Sequence, residues 1–284
     1  FLTWLLGAAL SAAAAQAPGG VVADVARLSL SEGHGCAVTH GGALRCVGNN
    51  GQGQLGTGSR ASFIKVARTV LDGGVTQVAT GSAHTCAIAS GALLCWGDNG
   101  EGQIGTGKVG GTVSKPVRVI EAGVTAVAAG GANTCAVVSG ALKCWGSNQY
   151  GQLGDGLASH GISCEGIDCS LIPVDVDLLA VPTAALSVAS GWYHSCLIGA
   201  MGEVACWGSN EHGALGDGLA SHGTTCEGVD CSRRPVAVSG LTQNVLALAA
   251  SNQFTCALRL DGTVWCWGGN DSGQLGNGTT TASG

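Results

Sequence analysis

A thirteen-residue motif occurs five times along the 284-residue chain, and it restricts the fold more than any other feature. The shared frame is C-W-G-x-N-x-x-G-x-L-G-x-G. The copies are CVGNNGQGQLGTG (46–58), CWGDNGEGQIGTG (95–107), CWGSNQYGQLGDG (144–156), CWGSNEHGALGDG (206–218) and CWGGNDSGQLGNG (266–278). Their first cysteines are 49, 49, 62 and 60 residues apart. A period of this length predicts one β-propeller blade per repeat, because helical solenoids repeat about every 33 to 45 residues.

The composition supports an all-β fold rich in turns and narrows the function classes. Glycine accounts for 50 of the 284 residues, whereas about 7% is usual. The hydrophobic fraction of 45% excludes a disordered polymer. Charged residues make up only 11% of the chain, and the formal net charge is −6 without any cluster of Lys or Arg. These features argue against direct nucleic-acid binding, which needs a surface that neutralises phosphates.

A second cysteine stands nine or ten residues before each copy of the motif. In CAIASGALLC, a two-residue Ser90-Gly91 turn would place Cys86 directly opposite Cys95 on two antiparallel strands. The ten-residue spacings fit three-residue loops that end in glycine, which keep the same register. Opposed residues at a non-hydrogen-bonded position have Cα atoms about 4.5 Å apart, within reach of a disulfide. We therefore predict five cross-strand disulfides: Cys36–Cys46, Cys86–Cys95, Cys135–Cys144, Cys196–Cys206 and Cys256–Cys266.

Zinc-binding thiolates are the alternative for these ten cysteines. Structural zinc sites favour a C-x₂₋₄-C spacing, which the hairpin pairs do not have. The spacing therefore favours disulfides, and disulfides indicate an oxidising compartment.

Repeats three and four each carry a long loop that the other repeats lack. The loops are GLASHGISCEGIDCSLIPV (156–174) and GLASHGTTCEGVDCSRRPV (218–236). Each contains C-E-G-x-D-C, so we predict two further local disulfides, Cys164–Cys169 and Cys226–Cys231. Together with the hairpin pairs they would use all 14 cysteines of the chain.

Several short patterns in these repeats resemble a known family. They are G-x-x-H-[TS]-C-A (81–87, and 191–196 up to its cysteine), the G-x-L-x-C-W-G strand, the N-x-x-G-Q-L-G-x-G turn and a later Pro-Val pair (116–117, 173–174, 235–236). Together they resemble the repeats of the regulator of chromosome condensation family over residues 28 to 281, and the cysteine-paired form is similar to its secreted bacterial members. The resemblance implies four-stranded blades arranged in a ring, commonly seven of them. We expect repeats at about 28–66, 76–117, 125–174, 186–236 and 246–281.

Only five repeats are visible, and the fifth stops without its Pro-Val strand. Either the sequence is a fragment of a larger ring, or another segment closes a small one. Residues 18–22 (PGGVV) resemble the missing strand and could complete the last blade, which would remove exposed sheet edges. We therefore assign residues 18–284 to the propeller.

Residues 1–17 have the pattern of a truncated signal peptide, an apolar run followed by small residues. A short membrane anchor is the alternative, but a spanning helix needs about 20 apolar residues. We expect a secreted or cell-envelope protein without a membrane span in the mature chain.

The sequence contains no recognisable catalytic constellation. His34, His84 and His194 lie two residues before the first cysteine of their repeats, where Asn133 and Phe254 stand in the other two. A position that accepts Phe does not hold a catalytic base, so we interpret these histidines as hydrogen-bonding core or turn residues. G-x-S-x-G and His-x-x-x-His are both absent. We therefore expect no enzyme activity, no cofactor and no metal site.

The features that do not repeat are the candidates for binding. The two long loops with predicted disulfides, residues 156–174 and 218–236, are called the stapled loops here. They would project from adjacent blades, and loops on a rigid scaffold commonly hold the residues that bind a partner. Calcium is conceivable there, but two acidic residues per loop fall short of a recognisable site. A Trp-Tyr pair replaces the small residues of other blades and would be either an interface anchor or buried packing. The candidate residues are His160, Glu165, Asp168, Trp192, Tyr193, His222, Glu227, Asp230, Arg233 and Arg234.

These observations favour a secreted binding module that holds another protein or a surface glycan, and we expect it to be monomeric. The resemblance suggests two alternatives: guanine-nucleotide exchange on a small GTPase, and inhibition of a secreted enzyme. An exported disulfide protein would not meet a cytosolic GTPase, which disfavours exchange. Fold alone does not decide among them.

Overall fold

The computed structural model describes residues 23–179 and 184–284, which form five antiparallel sheets arranged as a β-propeller. The predicted signal peptide and the strand-like residues 18–22 lie outside the described residues. Within the described residues, no helix is long and apolar enough to cross a membrane.

The first two blades have four strands each, paired in chain order. Blade 1 contains β1 (Val25–Leu30), β2 (His34–Thr39), β3 (Leu44–Asn49) and β4 (Phe63–Leu71). Blade 2 contains β5 (Val75–Thr80), β6 (His84–Ala89), β7 (Ala92–Asp98) and β8 (Thr112–Ile120).

Blades 3 and 4 gain a two-residue strand inside their long loops, and blade 5 has three strands among the described residues. Blade 3 contains β9 (Val124–Ala129), β10 (Asn133–Val138), β11 (Ala141–Ser147), β12 (Ser163–Cys164) and β13 (Ile167–Asp175). Blade 4 contains β14 (Ala185–Ser190), β15 (His194–Gly199), β16 (Val204–Ser209), β17 (Thr225–Cys226) and β18 (Val229–Ala237), with a 3₁₀ turn at Glu211–Gly213. Blade 5 contains β19 (Val245–Ala250), β20 (Phe254–Arg259) and β21 (Val264–Gly268).

The hairpins place the cysteines as their spacing predicts. Cys86 lies opposite Cys95 in the register of β6 and β7, with Cα atoms 4.1 Å apart. The turn between them has positive φ at both central residues, 50° at Ser90 and 77° at Gly91, which suits the right-handed twist of the strands. All five hairpin pairs and both loop pairs are disulfides, so no described cysteine is free.

Large side chains in the core lie between neighbouring blades. Trp145 is fully buried, and its indole N–H donates to the Gln103 carbonyl of the preceding blade at 2.9 Å. The tryptophans of blades 2, 4 and 5 make the equivalent bond to the blade before them. The recurrent tryptophans therefore hold neighbouring blades together.

A second hydrogen bond between the blades accompanies that of each tryptophan. His84 Nε2 lies 2.9 Å from Thr134 Oγ1 of the next blade, and Asn133 donates to Ser195 Oγ at 3.4 Å. His34 and His194 make the same contact with Thr85 and Thr255. Each of the four junctions from blade 1 to blade 5 therefore contains the same two kinds of hydrogen bond, one from the tryptophan and one from the histidine or asparagine.

The fifth blade cannot make this pair of bonds with the first. Phe254 stands where the histidines stand, and the residues that would receive it in blade 1 are Gly35 and Val47 instead of Thr and Trp. Leu275 is half-buried, whereas its equivalent Leu55 is fully buried against the next blade. Strand β1 is correspondingly exposed along most of its length.

Candidate binding face

Two sets of loops lie on one face of the propeller because neighbouring strands in each blade are antiparallel. Within a blade, the connection from the first to the second strand and the connection from the third to the outer strand leave the sheet at the same end. This loop face includes residues 191–193 and both stapled loops. Nearly all of the candidate residues therefore lie on or next to one face.

A cavity of about 240 Å³ lies on the loop face, at the centre of the ring. All five blades contribute to its wall through the ends of their first strands, as shown by Ser31, Ser82, Gly130, Trp192 and Ser251. Most of the wall consists of small side chains and backbone, and Trp192 is the only aromatic residue that the described part of the chain contributes to it.

Trp192 belongs to a cluster of three half-buried aromatic side chains. Its ring centroid lies 6.0 Å from that of Tyr193 in an edge-to-face arrangement, and Tyr193 lies 4.8 Å from Tyr150. Tyr150 comes from the motif turn of blade 3, so the cluster bridges blades 3 and 4. Partial burial raises the pKa of Tyr150, and the nearby Tyr193, Glu211 and Glu227 raise it further.

Trp192 and Tyr193 are candidate residues predicted from the sequence, whereas Tyr150 is not among them. The signal was present, because Tyr150 occupies a motif position where the other copies have Gln52, Glu101, His212 and Ser272. An aromatic residue appears there only in blade 3.

A histidine clasp holds the stapled loop of blade 3. His160 lies between two carboxylates, with Nε2 2.6 Å from Asp155 and Nδ1 2.8 Å from Asp168. Its side chain is only 8% exposed, and its backbone N–H also donates to Asp168. The hydrogen bond with Asp155 raises the pKa of His160 to about 9, with a further contribution from Asp168. The imidazolium is therefore the stable form at neutral pH.

Blade 4 repeats the clasp with the same geometry. His222 lies 2.7 Å from both Asp217 and Asp230, and these bonds raise its pKa despite its burial. Four of the candidate residues thus bond within their own loops, His160 with Asp168 in blade 3 and His222 with Asp230 in blade 4. Their structural contribution is to fix the shape of the two loops.

Glutamates form the exposed tips of these loops. Glu165 and Glu227 have φ values of 53° and 51° and are followed by glycines that also have positive φ. The Glu165 carboxylate packs against Gly100 in the motif turn of blade 2. The stapled loop of blade 3 therefore contacts blade 2.

The two arginines after the blade 4 loop also contact blade 3. Arg234 Nε donates to Asp177 at 2.6 Å, and the Arg233 side chain packs against Gly151. Arg233 Nη2 lies 3.5 Å from the Thr225 carbonyl. No group of three or more His, Cys, Asp or Glu side chains within 23–179 and 184–284 is arranged to hold a metal ion.

Comparison with known families agrees with this architecture. A family pattern described as "Regulator of chromosome condensation (RCC1) repeat" matches residues 90–137, 139–198 and 201–258, and a second pattern with the same description matches 75–103, 186–214 and 245–274. The chain belongs to the RCC1-repeat family. The resemblance stated from the short motifs is therefore confirmed, as is the propeller fold.

Curated relatives of this RCC1-repeat chain are much longer proteins. It is 34% identical to the human E3 ubiquitin-protein ligase HERC2 over 118 residues, which are 41% of this chain and 2% of HERC2. It is 31% identical to the mouse probable E3 ubiquitin-protein ligase HERC4 over 112 residues, 38% of this chain and 10% of HERC4.

Two solved structures share the fold. Human WBSCR16 superposes with a TM-score of 0.73 at 25% identity, covering 91% of this chain and 65% of WBSCR16. Prp20p from Saccharomyces cerevisiae, whose structure is described with its binding to Gsp1p and histones, has a TM-score of 0.74 at 19% identity. That likeness covers 91% of this chain and 61% of Prp20p, and it shows the fold alone.

Proposed function

We propose that this RCC1-repeat propeller is a non-catalytic module that binds another protein on its loop face. The observation that carries the proposal is the cluster of Trp192, Tyr193 and Tyr150 beside the central cavity. Half-buried aromatic residues supply large contact areas at a low cost in side-chain entropy, and they are enriched among the residues that dominate binding energy.

The scaffold around the cluster supports this role because it is rigid. Disulfides hold the hairpins, and the histidine clasps with two further disulfides hold the neighbouring loops. A preformed surface binds with less loss of conformational entropy than a mobile one.

We also propose that the protein works outside the cytoplasm, secreted or in the cell envelope. Seven disulfides indicate an oxidising compartment. The signal-like residues 1–17 agree with export. Nucleotide exchange on a cytosolic GTPase is disfavoured for the same reason.

Selection of a random peptide display library on the immobilised protein tests the proposal. We expect enriched peptides to lose binding to Tyr150→Ala/Tyr193→Ala while the melting temperature of that variant stays within a few degrees of the wild type. Trp265→Ala is the matched control, because Trp265 is a 43% exposed aromatic residue in the body of blade 5. It should leave binding unchanged.

Three outcomes would overturn the proposal. The first is that no peptide is enriched, and the second is that enriched peptides bind the Tyr150→Ala/Tyr193→Ala variant as tightly as the wild type. The third is that an array of surface glycans, and not the peptides, binds in a manner that depends on the cluster. That result would assign the face to a glycan.

A further inference from the structure

Carboxylates adjoin the aromatic cluster, and one of them has no hydrogen-bond or ion-pair partner among the described residues. Glu211 and Glu227 both lie close enough to Tyr150 to raise its pKa. Glu211 accepts a hydrogen bond from Gln253 at 2.8 Å, whereas no hydrogen bond or ion pair in the described chain engages the Glu227 carboxylate. The arginines after this loop are occupied elsewhere, since Arg234 pairs with Asp177 and Arg233 reaches the Thr225 carbonyl.

A second group of neighbouring carboxylates lies between blades 2 and 3. Glu165 lies against Gly100, and the pKa of the neighbouring Glu101 is raised first by burial and then by the carboxylates of Glu165 and Asp98. A hydrogen bond from Ser147 offsets part of this rise. Like charges gathered in this way are stabilised when a cation approaches.

The central cavity next to the cluster also favours a cation. Among the described residues of its wall, Glu32 is the only ionisable one, and the others are Trp192, Leu30, Thr80, Asn252 and several Gly, Ala and Ser residues. Its volume equals that of roughly eight liquid waters, enough for one long side chain. An apolar stem with a positive head fits such a site, because the stem packs on small side chains while the head reaches the Glu32 carboxylate and the tryptophan ring.

We infer that the bound partner presents an arginine or lysine of an extended basic segment to this cavity beside Trp192. The inference rests on the proposed function and specifies the partner's chemistry. Glu227 and Glu211 attract the segment along blades 3 and 4, Glu165 and Glu101 extend the attraction to blade 2, and the aromatic cluster provides the contact area. Electrostatic complementarity of this kind speeds association and selects against acidic partners.

Binding of synthetic peptides to the intact protein, followed by fluorescence anisotropy, tests the inference. The probes are labelled peptides of equal length that alternate arginine with glycine and serine, or carry citrulline or glutamate at the arginine positions. Citrulline keeps the shape of arginine without its charge. We expect the arginine peptide to bind about tenfold more tightly than the citrulline peptide and the glutamate peptide not to bind. The advantage should shrink as salt rises from about 50 to about 300 mM.

Variants identify the site. Glu227→Gln and Trp192→Leu should each weaken the arginine peptide about fivefold, and Trp192→Phe should recover part of the loss because its ring retains a weaker cation–π interaction. Asp72→Asn and Glu121→Gln are the charge-matched controls, since both lie in connections on the opposite face. They should change the dissociation constant less than twofold.

The outcomes separate this inference from the function on which it rests. Equal affinity for the arginine and citrulline peptides overturns the inference, as does equal weakening by the loop-face and opposite-face variants. Enrichment of neutral or acidic library peptides that still need Tyr150 and Tyr193 would also overturn it, while leaving the proposed function in place. Failure of the library selection itself would instead remove the proposed function.

Discussion

At the scale of the residue, the histidines of this protein have pKa values shifted in opposite directions. Carboxylate partners raise the pKa, and burial without such partners lowers it. His160 is held between two carboxylates, which raise its pKa to about 9. His84 is buried between blades beside a threonine, and burial lowers its pKa to about 3. His34 and His194, at the same position in their blades, have pKa values lowered to about 4. The carboxylates around His160 stabilise the charged imidazolium, whereas burial between blades stabilises the neutral imidazole.

The buried histidines predict that the fold weakens in mild acid. Their pKa values in the folded protein lie below the ordinary 6.5, so the unfolded chain binds protons first as the pH falls. Each such group should cost about 1.4 kcal/mol per pH unit between roughly pH 6 and pH 4. Urea unfolding at several pH values measures this slope.

His84→Asn is the informative variant, because blade 3 already has Asn133 at this position. We expect the free energy of unfolding of the variant to fall less steeply with decreasing pH, by about 1.4 kcal/mol per pH unit, whatever its stability at pH 7. An unchanged slope would show that His84 is not the titrating group.

At the scale of the structural element, the junction between blades depends on glycines that let the turn approach the tryptophan. Gly105 has a φ of 83°, and a Cβ atom added to it would lie 2.5 Å from Trp145 Nε1. Gly110 has a φ of 80° and open space around it. The two positions have nearly the same φ, and they differ in what an added Cβ atom would meet.

This pair predicts two different costs for the same substitution. Gly110→Ala should lower the free energy of unfolding by about 1 to 2 kcal/mol through backbone strain alone. Gly105→Ala should cost about 1 to 3 kcal/mol more because the tryptophan must shift. Thermal and urea unfolding of both variants measure the difference, and equal losses would contradict the packing role assigned to the turn.

At the scale of the whole molecule, stability is distributed unevenly around the ring. Blades 2, 3 and 4 each have a tryptophan junction on both sides, whereas blades 1 and 5 have one each. Strand β21 also lacks a full outer strand in the described chain, where its outer side makes one bridge from Gly268 to Ser283. Elements with fewer buried contacts open at a lower free energy.

Amide hydrogen exchange should follow this distribution. We expect β10 and β15 to exchange most slowly and β1 and β21 to exchange about ten to a hundred times faster, a difference of roughly 1.4 to 2.8 kcal/mol in opening free energy. Mass spectrometry after proteolysis under reducing quench conditions resolves these strands. Equal protection of β21 and β16 would show that the fifth junction is as tight as the others.

The hairpins and the disulfides could be predicted without the structure, because each depends on residues within about ten positions of one another, and the repeat could be predicted because its motif recurs as a readable string. The Ser90-Gly91 turn, for example, sets the register that brings Cys86 to Cys95. Only the tertiary structure placed Tyr150 on Tyr193 and Glu165 on Gly100, since these contacts join different blades. The clasp of His160 by Asp155 and Asp168 was missed for a related reason. Its three residues are close in sequence, but the fold of the long loop decides that they converge.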